Sequence, residues 1–281
     1  MRAAVLGSPI AHSLSAVLHT AAYTELGLAG WSYQAIECTE DGLPALLAGC
    51  GEDWAGLSLT MPLKRAVLPL LDTVDPLAAD VGGANTVTFA GRVSRGHNTD
   101  VPGMIAALAA AGVTAADISA AGPALILGGG ATACSALASL RGLGAAEATV
   151  AVRDAARAAD LLAAADRLGM RVRLIAFGQE EHPDRGPGLL ISTVPAGAAD
   201  GYAGRILRAG GAPMAVLDAV YHPWPTRLAA AAATAGAVTV SGFELLLHQA
   251  GPQVELMTGR PAPLEVMRAA GLAELARRAS R

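Results

Sequence analysis

Charged side chains are scarce in this sequence. They make up 16% of it, against roughly 25% in ordinary soluble domains, and aromatic residues add only 4%. Ala and Gly supply the difference, and with 53% hydrophobic residues the chain has ample apolar surface to bury, which excludes a disordered segment. An excess of basic charge is also missing: 20 Lys and Arg stand against 24 Asp and Glu, a formal net charge of −4. Sequence-independent gripping of phosphodiesters needs a clustered basic surface, so nucleic acid is not an expected partner. Cysteine is limited to Cys38, Cys50 and Cys134, an odd number without a C-x-x-C pair, so neither a disulfide framework nor a metal site is expected. Long hydrophobic runs are interrupted. Ile118 to Leu140 carries no charge over nearly a bilayer's length, but Pro123 and Gly128-Gly129-Gly130 break it where a spanning helix is continuous. The N-terminal apolar run, Ala3-Ala4-Val5-Leu6, is too short for the core of a signal peptide. The expected setting is a reducing cytoplasm, away from membranes.

A chain of 281 residues at roughly 150 residues per domain predicts about two domains. Short apolar runs alternate with longer Ala/Leu-rich segments of helical period, the alternation of βαβ units in α/β proteins. In a first lobe the expected strands are Ala3–Leu6, Tyr33–Ile36, Gly56–Leu59 and Thr86–Phe89, with a hairpin turn at Phe89–Val93. Expected helices are Ser15–Leu26, with Ser15 as a good N-cap type, Gly42–Gly49 and Leu63–Leu71. Beyond the helical segment Pro102–Ala111, a second series at Ala124–Leu127, Ala148–Val152, Val172–Phe177, Leu189–Thr193, Val216–Ala219 and Ala237–Val240 reads as a doubly wound, mostly parallel sheet. The closing segments Phe243–Thr258 and Pro263–Arg278 are helical with no strand beside them, and are expected to pack back on the first lobe.

After the strand Ala124–Leu127 comes Gly128-Gly129-Gly130-Ala131-Thr132-Ala133, which fits G-x-G-x-x-G/A between a strand and a helix. The first Gly permits a tight turn, the second lets backbone N–H groups approach a pyrophosphate, and a small third residue allows close helix–strand packing. A glycine-rich turn without a ligand is the plain alternative. The next strand ends Val152-Arg153-Asp154, where an acidic residue favours NAD and an arginine accommodates the 2′-phosphate of NADP. Arg153, with Arg157 one turn on, points to NADP; Asp154 pulls toward NAD.

Four polar clusters stand where an apolar core does not place them. They are Gly7-Ser8-Pro9-Ile10-Ala11-His12-Ser13-Leu14-Ser15, Gly56-Leu57-Ser58-Leu59-Thr60-Met61-Pro62-Leu63-Lys64, Gly82-Gly83-Ala84-Asn85-Thr86 and Gly96-His97-Asn98-Thr99-Asp100. Taken singly, Ser15 is a helix cap, Ser13 a turn residue and Lys64 a surface lysine. Together at one sheet edge they suit a small polyhydroxylated acid: hydroxyls for a carboxylate, amide and carboxylate for vicinal hydroxyls, and a Lys–Asp pair for proton transfer.

In combination these segments resemble the shikimate dehydrogenase family over essentially the full length. The first is similar to its G-x-P-I-x-H-S-x-S, Thr60 to Lys64 to its T-x-P-x-K, Gly83-Ala84-Asn85-Thr86 to its G-A-x-N-T less one residue, and Asn98-Thr99-Asp100 to its N-T-D. Ser241-Gly242 with His248-Gln249-Ala250 resembles its C-terminal segment. The resemblance implies a two-lobed fold with the active site in a cleft. Residues 1–101 and 242–281 would form a substrate-binding domain, and residues 102–241 a Rossmann-like NADP-binding domain. It implies that Ser13 and Ser15 bind the carboxylate of shikimate, that Ser58, Thr60, Asn85 and Gln249 bind around the ring, and that Tyr221 reaches the substrate from the cofactor lobe. Lys64 and Asp100 are the implied acid/base pair. Gly128, Gly129, Gly130, Ala131, Thr132, Arg153, Arg157 and Gly242 are the implied cofactor contacts.

Three departures bear on the site. Ser58 stands where many members have Asn, Val152 and Asp154 replace two residues of the family's N-R-T, and Pro252 follows Gln249 by three residues, where an internal proline removes a helix hydrogen bond. The activity implied is NADP-dependent, metal-free interconversion of 3-dehydroshikimate and shikimate by a monomer or homodimer. A quinate or aminoshikimate dehydrogenase using NAD or NADP is the alternative enzyme. A catalytically silent dinucleotide-binding regulator is the alternative of another class.

Overall fold

The structure, a computed structural model, describes residues 1–179, 187–208 and 213–280. In chain order the elements are β1 (Arg2–Gly7), α1 (Ser15–Glu25), β2 (Ser32–Glu37), α2 (Leu43–Ala48), β3 (Trp54–Leu59), α3 (Leu63–Ala66), β4 (Thr73–Val74), α4 (Pro76–Val81), β5 (Thr86–Ala90), β6 (Val93–His97), α5 (Asp100–Ala110), α6 (Ala115–Ala121), β7 (Ala124–Leu127), α7 (Ala131–Gly142), β8 (Glu147–Val152), α8 (Ala159–Leu168), β9 (Arg171–Ala176), β10 (Leu189–Ser192), α9 (Asp200–Arg208), β11 (Ala215–Asp218), α10 (Arg227–Thr234), β12 (Val238–Ser241), α11 (Gly242–Thr258) and α12 (Leu264–Ala279).

The chain forms two compact units, Met1–Gly103 with Leu246–Arg281, and Met104–Leu245. The divisions fall inside α5 and α11, a little beyond the boundaries expected at 101/102 and 241/242. In the first unit the sheet order is β2-β1-β3-β5-β6-β4. β1 runs parallel to β2 and β3, whereas β3/β5 and β5/β6 are antiparallel. This sheet is mixed, and the hairpin expected at Phe89–Val93 is present: Gly91 and Arg92 close a two-residue turn between Ala90 and Val93. Gly91 takes the φ of +63° that such turns demand. The core under this sheet is built from Leu6, Leu57, Leu63 and Val87.

The antiparallel step has a functional consequence. β1 and β3 end, and β5 begins, at the same edge, since Leu6 pairs with Leu59 and Ser58 with Thr86. β6 ends there too, with His97 opposite Thr86. Residues 7–15, 60–64, 85 and 98–100 therefore leave the sheet at one end. α11 runs unbroken through Pro252, so the interruption considered from sequence is absent.

The second unit holds one all-parallel sheet in the order β12-β11-β10-β7-β8-β9. Counted within the unit, this is the 3-2-1-4-5-6 order of dinucleotide-binding sheets, with its switch point between β7 and β10. Leu127, Leu190, Val216 and Leu228 pack one face of it.

Candidate active site

The polar clusters of the first unit meet. Lys64 Nζ donates to Asp100 Oδ2 at 2.5 Å, and both side chains are largely buried, 14% and 8% exposed. Lys64 follows the turn after β3, and Asp100 opens α5. That helix start is held by Asn98, whose Oδ1 accepts from Val101 N–H at 3.2 Å and whose amide donates to Gly83 O at 2.8 Å. Ala84 N–H donates to Lys64 O at 2.8 Å, tying the second polar segment to the third. Asn85 Nδ2 lies 2.9 Å from Asp100 Oδ1, 2.9 Å from Thr99 Oγ1 and 3.0 Å from Gln249 Oε1. Lys64, Asn85, Asp100 and Gln249 thus form one hydrogen-bonded group.

Gln249 reaches this group because α5 and α11 touch backbone to side-chain stem. A Cβ on Gly103 would lie 2.7 Å from Gln249 N, Cα and Cβ. Gly103→Ala is therefore expected to cost about 1–3 kcal/mol, the usual range for overpacking, and to raise KM for the substrate as Gln249 is displaced. Chemical denaturation and steady-state kinetics check both. Unchanged stability would remove the steric argument.

The loop carrying Ser13 and Ser15 is clamped at both ends. Glu37 accepts from Ser8 Oγ at 2.5 Å and from Ile10 N–H at 2.9 Å. Arg278 Nη1 donates to His12 O at 2.8 Å while Glu274 accepts from Arg278 Nε at 2.7 Å. Gly7 is needed where this loop crosses the next, since a side chain there would run into Thr60 Cγ2. Thr60 N–H donates to Leu6 O at 2.9 Å, and Ser8 N–H to Met61 O at 3.0 Å. Ser15 is not the N-cap expected from sequence. It is the first helical residue, Leu14 holds the cap position, and no side chain caps the helix. The reason is Ser13, whose Oγ accepts from Ser15 N–H at 3.3 Å and takes over the local hydrogen bonding. Ser58 is turned away into the interior, 3% exposed, with its hydroxyl between Tyr33 Oη at 2.6 Å and Gln253 Oε1 at 2.8 Å.

In the second unit, Gly128 to Gly130 form the turn between β7 and α7. Gly128 has φ +108°, and a Cβ on it would meet Thr193 Oγ1 at 2.6 Å, at the switch point. Gly130 occupies the cap position of α7 with no side chain satisfying the first N–H groups, and open space surrounds where its Cβ would be. Those N–H groups, at Ala131 and Thr132, point to a free anion-binding end. Ala133 is fully buried, as close helix–strand packing requires. Arg153 is exposed at the end of β8, with no carboxylate partner among the described residues. Asp154 instead turns on its own chain, its Oδ1 accepting from Ala156 N–H at 3.0 Å and capping the 3-10 turn Ala155–Ala158. Arg157 lies in that turn, and its side chain is outside what the structure describes. This arrangement fits a dinucleotide carrying a 2′-phosphate.

Tyr221 and Gly242 lie in the same unit. Tyr221 sits in the segment after β11, which Asp218 organises by accepting from Thr226 Oγ1 at 2.7 Å and Val220 N–H at 3.3 Å. Burial pushes the Asp218 carboxyl above its ordinary range, and these donors oppose the rise. A side chain on Gly242 would collide with the Ala219 carbonyl, so the start of α11 is packed against that segment. Asp218 and Gly103 have roles that the sequence reading did not assign. Among the described residues no group of three or more His, Cys, Asp or Glu side chains is placed to hold a metal ion, and no single helix is long and apolar enough to cross a membrane.

Comparison with known proteins agrees across the chain. Residues 5–87 match the family described as shikimate dehydrogenase substrate binding domain, and residues 242–270 the shikimate 5'-dehydrogenase C-terminal domain. A shikimate dehydrogenase (NADP(+)) of Halobacterium salinarum is 38% identical over 96% of this chain and 98% of its own. The crystal structure of Mycobacterium tuberculosis shikimate dehydrogenase is 42% identical with a TM-score of 0.83, covering 97% of this chain and 99% of that one. The shikimate 5-dehydrogenase of Thermus thermophilus, solved with NADP(H) and shikimate, is 32% identical with a TM-score of 0.83, again over 97% and 99%.

Proposed function

The chain belongs to the shikimate dehydrogenase family, and from that premise we propose that it interconverts 3-dehydroshikimate and shikimate with NADP. The observation that carries this reading is the buried Lys64–Asp100 pair, 2.5 Å apart and flanked by Asn85 and Gln249 at one end of a sheet. The cofactor, when bound, would supply the hydride as NADPH in reduction and accept it as NADP+ in oxidation. In the reducing direction Lys64 Nζ–H donates to the carbonyl oxygen as it gains charge, and Asp100 holds the ammonium in place. In the oxidising direction the pair takes up the hydroxyl proton. Asn85, Thr60 and Gln249 orient the ring hydroxyls. Gly128 to Thr132 and Gly242 hold the dinucleotide, with Arg153 on its 2′-phosphate.

A dinucleotide-binding regulator has no need of a largely buried ammonium–carboxylate pair, since taking two charges out of water is costly. No disulfide joins Cys38, Cys50 and Cys134, which supports a cytoplasmic setting. Steady-state kinetics with shikimate and quinate, each against NADP and NAD, tests the whole reading. Shikimate with NADP is expected to give the highest kcat/KM, and a preference for quinate or NAD overturns it.

The carboxylate-binding role of Ser13 and Ser15 is tested best at Ser15, because its hydroxyl caps nothing and its loss leaves the helix start intact. A hydrogen bond to a charged group is worth about 1.5–3 kcal/mol, so Ser15→Ala is expected to raise KM for shikimate about tenfold or more, with Tm and kcat little changed. Ser13→Ala is expected to raise KM similarly and to lower Tm as well, since Ser15 N–H loses its acceptor. Unchanged KM in both variants removes the assignment.

A further inference from the structure

Behind the proposed acid/base pair runs a chain of buried polar side chains that substrate chemistry alone does not require. Tyr33 Oη donates to Ser58 Oγ at 2.6 Å, and Ser58 Oγ donates to Gln253 Oε1 at 2.8 Å. Gln253 Nε2 donates to Thr86 Oγ1 at 2.9 Å and to Asn85 O at 3.3 Å. Thr86 Oγ1 donates to Asn85 Oδ1 at 3.0 Å, and Asn85 Nδ2 to Asp100 Oδ1 at 2.9 Å. Every member is buried, with Thr86 fully so and Asn85 and Gln253 each 1% exposed, so water does not compete.

The direction of this chain follows from counting protons. A hydroxyl has one proton to give, so Thr86, giving its proton to Asn85, must accept from Gln253. Ser58, giving its own to Gln253, must accept from Tyr33. The Tyr33 phenol stays a donor, since burial raises its pKa well above the ordinary value. Turning the Gln253 amide over would set Oε1 against the Asn85 carbonyl, and turning the Asn85 amide over would set Oδ1 against the Asp100 carboxylate and Nδ2 against Thr99 N–H, which lies 2.8 Å from Oδ1. His19 closes the far side. Its ring stacks on Tyr33 at 4.1 Å, its Nε2 is 3.2 Å from Gln253 Oε1, and burial lowers its pKa to about 4. A neutral His19 therefore donates from Nε2 to the same acceptor.

We propose that Gln253 and Thr86 are positioning residues for the acid/base pair: the directed chain from Tyr33 to Asp100 locks the Asn85 amide with its N–H toward Asp100 and so fixes the carboxylate that holds Lys64. Ser58 then serves the chain and not the substrate. The inference rests on the reading of Lys64 and Asp100 as the acid/base pair.

The test uses Gln253→Met, which keeps volume and removes the donor, Thr86→Val, which removes the hydroxyl isosterically, and Thr86→Ser, which restores it. Gln253→Met and Thr86→Val are expected to lower kcat about tenfold or more with KM for NADP within twofold, and Thr86→Ser to stay within threefold of the parent. Lys64 is the only lysine in the chain, so protein labelled with 13C-lysine gives a single Cε signal. That signal, recorded without ligands at one pH, is expected to move in Gln253→Met and Thr86→Val and to return in Thr86→Ser. An unmoved signal with kcat within threefold overturns the proposal, as does a Thr86→Ser variant as impaired as Thr86→Val, which would show that packing and not the hydroxyl matters. Lys64→Ala and Asp100→Asn are assayed alongside. If those two keep near-normal kcat, the acid/base reading fails, while the lysine signal still decides whether the chain orders the pair.

Discussion

Lys64→Ala and Asp100→Asn are each expected to lower kcat for shikimate oxidation by at least a hundredfold, because general acid–base groups contribute about 10²–10⁴-fold. The geometry makes the two a unit: Nζ and Oδ2 are 2.5 Å apart and both side chains are largely withdrawn from water. Residues acting as a unit are non-additive. The double variant is therefore expected to be little slower than the poorer single one. Both changes also strand a partner. Without Asp100's charge, Lys64 is left as a buried ammonium, and breaking a buried pair typically costs about 3–5 kcal/mol. Stability and catalysis are separated by measuring kcat well below Tm and by following each variant's unfolding. Single variants that keep near-normal kcat with a lowered Tm would assign the pair to structure and end the acid/base reading.

What could be learned from sequence depended on how local each signal was. Gly128 to Gly130 lie directly between β7 and α7, with Ala131 to Ala133 opening the helix, so strand, turn and helix are visible within ten residues, and the structure keeps that order. Lys64 and Asp100 are separated by 36 residues, and no spacing rule brings them together. The family resemblance linked them, and the physical cause is the antiparallel step from β3 to β5, which returns Asn85 and Asp100 to the end of the sheet where Thr60 and Lys64 emerge. Some signals were present and unused. Thr114 and Asp117 form a reciprocal capping box at the start of α6, and Asp75-Pro76 opens α4 with proline in its first turn. Gln253 lies four residues beyond Gln249, on the same helix face, which was the one hint of a second buried amide beneath the first. β4 has only two residues and carries no periodicity to read. The role of Gly103 was invisible because it depends on a helix about 150 residues away pressing against it.

The opposing signals at Arg153 and Asp154 resolve into separate jobs, and the cofactor preference follows. Asp154 caps Ala156 N–H with its own carboxylate, an Asx-type bond that an acidic residue makes at the start of a turn. Arg153 remains exposed at the strand end, where the 2′-phosphate of a dinucleotide lies in this fold. The protein is thus expected to prefer NADP, and Arg153→Ala to lose about 1.5–3 kcal/mol of a charge-assisted contact, roughly 10–150-fold in kcat/KM for NADP, while kcat/KM for NAD changes little. Asp154→Asn separates charge from capping, since the amide oxygen still accepts from Ala156 N–H. It is expected to leave Tm unchanged and to keep NADP use equal or better, by removing repulsion from the phosphate. Asp154→Ala loses the cap as well, which costs about 0.5–2 kcal/mol, so its Tm falls and NADP use gains less. Measuring kcat/KM with both cofactors across these variants decides the matter. A parent protein that prefers NAD, and accepts NADP only when the charge at 154 is removed, would mean that Asp154 leaves its cap to meet the ribose and that the carboxylate sets the preference.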